Sequence, residues 1–445
     1  MKKKVKIIAL ILTAVFLFSA TAGLAAEDLN LDEAVKLLVE NNRTLKNARK
    51  DIENAEKDIQ LAVRSYFPNL DLQTSYTKMD EGQQTLNPDF FKTGKGSPTT
   101  TSSDESYSTS LSLSQTVWTG GKVPMQKEIA NYGMEIARAE YEKNVEEQIF
   151  SLIQSYYGVL QARGLVEIRE EALDTVNEHL RVVRNNLDAG NAIKRDLLQS
   201  QIEQRKAEEE LTAAKNDLKI AQRRLAQLLT ADKKYEVEDP EIDFNLELEQ
   251  EKLFNTAVEN DLQLMILELN KKIAKLNQKL ESQYYRPSVS LNGSYEWQGS
   301  EFMDEESWSM SLGVNVPLYD GGKGGINSEK QEKELEKLAN NRKDLLENID
   351  IEVEESILTV KETEEAIELE QLSLENAEES LEIANKSYES GVASNTEVID
   401  AQSTYNQAKT SLLQAGYDYE IELFRTIYKS GRLKEYFEDV IEDAK

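Results

Sequence analysis

Two hydrophobic rhythms alternate along the 445-residue chain. From Leu29 to Tyr66, and again from about Glu251 to Tyr285, apolar residues recur at helical spacing with no proline until Pro68 and Pro287, which predicts two long opening helices. Helical spacing resumes after Gly120-Gly121-Lys122 and after Gly321-Gly322-Lys323, reaches Gly190 or Gly391, and continues beyond that glycine to about Leu229 or Lys429. The stretches before the glycines hold about 70 residues, or roughly 100 Å at 1.5 Å per residue, more than a globular core uses. Leu173, Val176, Leu180, Val183 and Leu187 alternate spacings of three and four, while Leu197, Leu211, Leu218 and Leu225 stand at multiples of seven. Val398, Tyr405, Leu412 and Tyr419 keep the same beat, so these runs read as coiled coil. Each folds back as an antiparallel helical hairpin, with Gly190 and Gly391 supplying the backbone freedom of a tight turn.

Between the helices the period changes to two. Val289, Leu291, Tyr295 and Trp297 alternate with Ser288, Ser290, Asn292, Ser294 and Glu296, and Trp308, Met310, Leu312, Val314, Val316 and Leu318 alternate with Ser307, Ser309, Ser311 and Asn315. A weaker version sets Leu70, Leu72 and Tyr76 outbound and Tyr107, Leu111, Leu113 and Val117 returning. Four strands are expected, at about 69–78, 106–118, 288–298 and 307–319. Strands of about 9 to 11 residues suit a tilted crossing of a bilayer. Tyr66, Phe67, Trp118, Tyr284, Tyr285 and Tyr319 near one end resemble an interfacial girdle. Periodicity alone also permits a water-soluble sandwich; the serine-rich, weakly charged polar faces favour a channel lining. Four strands cannot close a transmembrane barrel, and open edges in hydrocarbon leave backbone groups unsatisfied. At least two chains must therefore share one barrel, and two or three both satisfy this requirement.

The halves of the chain are copies. Glu40-Asn41-Asn42 recurs as Glu259-Asn260-Asp261 and Phe67-Pro68-Asn69-Leu70 as Arg286-Pro287-Ser288-Val289, both shifted by 219 positions. Trp118-Thr119-Gly120-Gly121-Lys122 recurs as Tyr319-Asp320-Gly321-Gly322-Lys323, and Gly190, Ala192 and Gln201 as Gly391, Ala393 and Gln402, shifted by 201. The difference of 18 residues falls in Glu81 to Glu105, rich in Gly, Ser, Thr and Pro, and reads as a longer loop at one hairpin tip.

Composition narrows the class. Met1 precedes Lys2, Lys3, Lys4 and Lys6, an apolar run from Ile7 to Phe18, and small residues from Ser19 to Ala26, the form of a secretory signal peptide with cleavage between Ala22 and Ala26. The organisation expected is a signal peptide at 1–26, a first repeat at 27–230, a linker at 231–250, a second repeat at 251–431 and an acidic tail at 432–445. Loss of the signal moves the formal charge from -30 to -34. Such an acidic chain is no partner for nucleic acid, which needs clustered Lys and Arg. With no cysteine, neither a disulfide framework nor a thiolate metal site nor an N-terminal lipid attachment is available.

Catalytic chemistry is not indicated. The single histidine, His179, sits in a heptad stretch beside Leu180 and reads as structural, with no metal or Ser/His/Asp constellation around it. The Gly-Gly-Lys turns lack the earlier glycine of a phosphate loop, and Val123 or Gly324 follows where Ser or Thr is required. Glu347 to Glu382 carries about 14 acidic residues with Lys361 the only base, a solvated or pore-lining surface. No cofactor, no enzyme activity and no nucleotide site are expected, so energy for transport must come from a partner.

Taken together, Leu31-Asp32-Glu33-Ala34-Val35, Tyr66-Phe67-Pro68-Asn69-Leu70, the Gly-Gly-Lys after the second strand, and Tyr388-Glu389-Ser390-Gly391 at a helical turn resemble the TolC-type outer-membrane efflux protein family over nearly the whole mature length. The fold so implied is mainly α with a small β part: a duplicated helix/β-hairpin/helix unit whose coiled-coil hairpins form an α-barrel and whose four strands join a shared transmembrane β-barrel. The resemblance further implies a homotrimer in outer-membrane lipid, partnered by a periplasmic adaptor and an inner-membrane pump or ABC transporter, acting as the exit duct of an efflux or type I secretion system. By position, the acidic pair of the family's periplasmic aperture falls on Glu397 and Asp400, one helical turn apart. Tyr388 and Asp196 match its linking network. Ala393 replaces the arginine found in this turn of the family's best-known channel, and Lys194 or Arg195 of the other turn is the candidate substitute. The competing reading is an exported coiled-coil structural or adhesin protein.

Overall fold

The computed structural model describes residues 27–80, 84–86, 92–95, 99–101, 105–231, 233, 235–240 and 248–443. The expected signal peptide and most of the loop from 81 to 104 lie outside them.

Each repeat contributes two opening helices, a hairpin of long strands and a pair of long helices. In the first, α1 (Leu31–Asn41) and α2 (Arg43–Arg64) lead to β2 (Asn69–Lys78) and β5 (Glu105–Trp118), then to α3 (Lys122–Asp188) and α4 (Lys194–Leu228). In the second, α5 (Gln250–Asn260) and α6 (Leu262–Ser282) lead to β7 (Ser288–Gly299) and β8 (Glu305–Asn315), then to α7 (Lys323–Glu389) and α8 (Asn395–Lys429). Short strands β1 (Glu27–Leu29), β3 (Gln84–Leu86), β4 (Thr99–Thr101) and β6 (Tyr235–Val237), with α9 (Leu433–Tyr436) and α10 (Glu438–Asp443), are the remaining elements named among the described residues. The duplication holds at element level: α3 and α7 both have 67 residues, and α4 and α8 both have 35.

Local chemistry sets the helix ends. Asn30 caps α1, its Oδ1 accepting from Glu33 N at 2.8 Å. The break between α1 and α2 falls at Asn42, whose Oδ1 accepts from Thr44 N at 2.8 Å while its Nδ2 donates to Gln148 Oε1 and to Leu228 O, both at 3.1 Å. Its counterpart Asp261 breaks α5 from α6 and accepts from Leu264 N at 2.6 Å.

The chain forms two compact units. The first holds the described residues up to Arg49, Glu140–Leu264, and those from Lys343 onward. Its main core joins Leu38 and Leu45 to Ile149, Leu152, Ile153, Tyr156, Tyr157 and Leu160 of α3, to Leu225 of α4 and to Phe424 of α8. Parallel strands β1 and β6 pair Leu29 with Val237 at its edge. The Tyr156 hydroxyl lies 2.8 Å from Leu29 O and 2.7 Å from Glu238 O, and Arg163 reaches Val237 O and Asp239 Oδ2 at 2.6 Å each, so the segment after α4 is tied to α3. The acidic C-terminal segment buries Leu433, Phe437 and Ile441 in the same core, at the i, i+4, i+8 spacing of one helical face.

The second unit holds Lys50–Ala139 and Met265–Arg342. Its sheet is an antiparallel meander in the order β2-β5-β7-β8. Leu72 pairs with Leu111 in the first hairpin and Leu291 with Leu312 in the second. These pairs are equivalent under the two shifts, so the copies have identical register. β8 ends at Asn315, short of the expected 319, because β7 begins at Ser288 and offers nothing to pair with beyond it.

Candidate functional site

Strand register sorts the sheet into two faces. Row by row, Asp71, Ser112, Ser294 and Ser309 lie side by side, as do Gln73, Ser110, Glu296 and Ser307. The hydroxyls of Ser294 and Ser309 are 2.9 Å apart. The opposite face carries Leu70, Leu72, Leu111, Leu113, Val289, Leu291, Trp308, Met310, Leu312 and Val314. In a single chain this face is uncovered, with Trp308 74% and Leu312 68% exposed, an apolar surface that water does not tolerate at this extent. One face therefore suits hydrocarbon and the other a wet, hydroxyl-lined lumen.

The second candidate region lies in the first unit, at the coiled-coil turns. Both α3 and α7 end in a Schellman motif: Asn191 N donates to Asn186 O at 2.7 Å and Val392 N to Ser387 O at 2.9 Å. That motif needs a left-handed residue, and Gly190 (φ +79°) and Gly391 (φ +76°) supply it. The next helices start differently. Ser394 Oγ accepts from Glu397 N at 3.3 Å, whereas Ile193 in the first copy has no acceptor, and Asp196 Oδ2 instead accepts from Ile193 N at 3.4 Å. Asp196 and Glu397 are thus equivalent residues of the two repeats.

Within the first hairpin α3 and α4 meet through Leu180, Val183 and Leu197, with Leu187 and, from the second hairpin, Tyr388 packed against them. Beside this cluster lies a buried polar network. Asn395 Nδ2 donates to Asp196 O at 3.4 Å, which orients the amide so that Oδ1 accepts from Ser200 Oγ at 3.1 Å and from His179 Nε2 at 2.8 Å. That geometry requires the proton on Nε2. Burial holds the His179 pKa below its usual value, against the opposing effect of the Asn395 bond. The Tyr388 ring sits 5.3 Å from the His179 ring. Its hydroxyl is buried without a well-formed hydrogen bond, and burial, opposed by nearby Asn186 and assisted by the Asp196 charge, raises its pKa.

The four residues that the family resemblance picks out therefore separate into two pairs. Tyr388 and Asp196 lie together around the His179–Asn395 bond, while Glu397 and Asp400 are exposed on α8. Arg195 is 81% exposed, with its Nε 3.9 Å from Asp196 Oδ1. Sequence reasoning missed Asn395, Ser200 and Gln402, all buried. The available signal was spacing: Asn395 and Gln402 are polar residues one heptad apart.

A sheet with one lipid-compatible and one hydroxyl-rich face, connected to paired coiled-coil hairpins, defines the subunit of a membrane channel. The model of the family described as outer membrane efflux protein matches residues 34–231 and 253–425, and the chain belongs to that family. It is 20% identical over 438 residues to the outer membrane efflux protein BepC of Brucella suis biovar 1 (strain 1330), covering 95% of this chain and 90% of that one. Among solved structures it resembles CusC, with a TM-score of 0.73 and 18% identity over 93% of this chain and 96% of that one. It also resembles the Campylobacter jejuni CmeC outer membrane channel, with a TM-score of 0.73 and 17% identity over 93% of this chain and 89% of that one. The protein is an outer-membrane exit duct of efflux systems with a periplasmic helical extension, and its family and fold are those of channels rather than enzymes.

Proposed function

We propose that three copies of this chain close one twelve-stranded barrel in outer-membrane lipid and one helical barrel in the periplasm. The duct so formed takes solutes from a periplasmic adaptor and an inner-membrane pump or ABC transporter, in efflux or type I secretion. The observation that carries this reading is the open sheet: among the described residues, β2 and β8 are its outer edges, beside a bare apolar face. In hydrocarbon each unpaired backbone group costs several kcal/mol, so the edges must meet those of other copies. Three copies follow from the family resemblance. A mass measurement on protein extracted in detergent tests the number, with three chains expected and two or four contradicting it. Covalent capture in cells tests the partners, with an adaptor expected among the products and its absence contradicting that part.

At the periplasmic end, the reading assigns the aperture to Glu397 and Asp400, as stacked carboxylate rings that draw cations, and to Tyr388 and Asp196 as part of the link between hairpins. Ala393 leaves no arginine in the second turn, and Lys194 or Arg195 of the first turn is the candidate substitute in such a lock. The exposure of Arg195 and its loose ion pair fit a side chain available to a neighbouring copy.

A further inference from the structure

We infer the register in which β8 of one copy pairs with β2 of the next; the inference rests on the reading above that copies share one barrel. The chain contains its own template. The junction between its two repeats is the pairing of β5 with β7, the second strand of one hairpin with the first strand of the next. Between chains the equivalent junction is β8 with β2. Because the two hairpins have identical register, β5 positions map onto β8 by the shift of 201 and β7 positions onto β2 by the shift of 219.

The pair Leu111–Tyr295 then becomes Leu312 opposite Tyr76 of the next copy, and Ser114–Asn292 becomes Asn315 opposite Gln73 of the next copy. Faces are conserved by this transfer: the lumen residue Asn315 meets a lumen residue, and Leu312 meets an aromatic on the lipid side. A slip of one residue would turn the apolar face inward, so only slips of two compete.

Three further features fit. β5 continues to Trp118 because β7 pairs with it there, and it carries a bulge between Thr116 and Trp118. The equivalent residues, Val316 to Tyr319, are unpaired in one chain, with Leu318 88% and Tyr319 82% exposed against 50% for Val117 and 43% for Trp118. The inferred register gives them Leu72, Asp71 and Leu70 of the next copy. Pro317, which has no N–H to donate, falls at the bulge, where a strand tolerates it. Finally, a Cβ on Gly120 would lie 2.5 Å from Arg286 Cβ, whereas Gly321 has open space around it. Its missing neighbour is Phe67 of the next copy, the equivalent of Arg286.

The absence of native cysteine makes the test clean. Full-length protein carrying Gln73→Cys with Asn315→Cys, or Tyr76→Cys with Leu312→Cys, is extracted from outer membranes, oxidised mildly and run without reductant. The two pairs lie on opposite faces, so one of them is the close, non-hydrogen-bonded kind. Within a chain the cysteines stand three strand spacings apart laterally, roughly 14 Å, and are further separated along the strands, so only neighbouring copies can be joined. Slipped controls combine Ser75→Cys with Asn315→Cys and Thr74→Cys with Leu312→Cys. We expect at least tenfold more linked product from one of the register pairs than from its slipped control. Stronger linkage in a slipped pair, or no linkage in any pair of a protein that remains oligomeric, overturns the register and leaves the shared barrel standing. Protein that is monomeric without cysteines overturns the shared barrel itself.

Discussion

The Asn395 side chain, at the start of α8, accepts a hydrogen bond of 2.8 Å from His179 Nε2 on α3, joining the second repeat to the first beside both coiled-coil turns. Because the bond is buried, truncation leaves its partners unpaired. Asn395→Ala strands His179 and Ser200 and should lower stability by about 1–3 kcal/mol, read as thermal unfolding. The pH dependence has a definite sign. Burial keeps the His179 pKa below its ordinary value in the folded protein, so the unfolded chain binds the proton more readily. The contribution is complete above the ordinary histidine pKa of 6.5 and is lost as pH falls from there through the lower folded value. His179→Gln should flatten the acid limb; an unchanged limb would contradict the assignment.

Glu146 has the opposite sign. Burial, reinforced by Glu142 and Asp261 and opposed by the backbone and charge of Lys434, pushes its pKa from 4.5 up to about 7. The folded state therefore holds a proton that the unfolded state releases, and stability drains away as pH rises from 4.5 to 7. Glu146→Gln should match the wild type at pH 4.5 and exceed it above pH 7 by on the order of 2 kcal/mol. Equal stability of the two proteins at high pH would contradict this.

Thr230 occupies the left-handed region (φ 54°) just beyond α4, where the second repeat has Gly431 (φ 68°). A β-branched residue is costly there, so Thr230→Gly should stabilise by about 1 kcal/mol. The reverse change, Gly431→Thr, should destabilise more strongly, because a Cβ at Gly431 meets Asn260 Cβ at 2.7 Å. Denaturant midpoints of the two variants shifting in the same direction would reject the comparison.

For the proposed aperture, Glu397→Ala with Asp400→Ala should reduce cation selectivity and block by multivalent cations, measured on single channels. Unchanged selectivity would move the charge filter elsewhere, for example to Asp71 and Glu296 on the lumen face of the sheet.

Much of the fold was legible because its signals are periodic. Alternation at Val289 to Trp297 identifies β7, the heptad leucines identify the hairpins, and the two constant shifts identify the duplication. What stayed hidden is too short to show a period or is masked by its neighbours. β1 and β6 are three-residue strands joined by Tyr156 and Arg163, side chains far from them in sequence. Leu433, Phe437 and Ile441 are spaced as a helix face, but the acidic residues between them mask it in composition. His179, read as a heptad residue beside Leu180, is buried and bonded to Asn395. Asn395 was passed over, despite its heptad spacing to Gln402, because a polar residue at a helix start normally faces water.

The most direct measurement of the central claim is single-channel recording from the purified oligomer in a planar bilayer. A shared barrel with a hydroxyl-lined lumen predicts discrete conductance steps with a preference for cations, reduced when Glu397 and Asp400 are both changed to alanine. An intact oligomer inserted in lipid that passes no ions under any voltage would contradict the account.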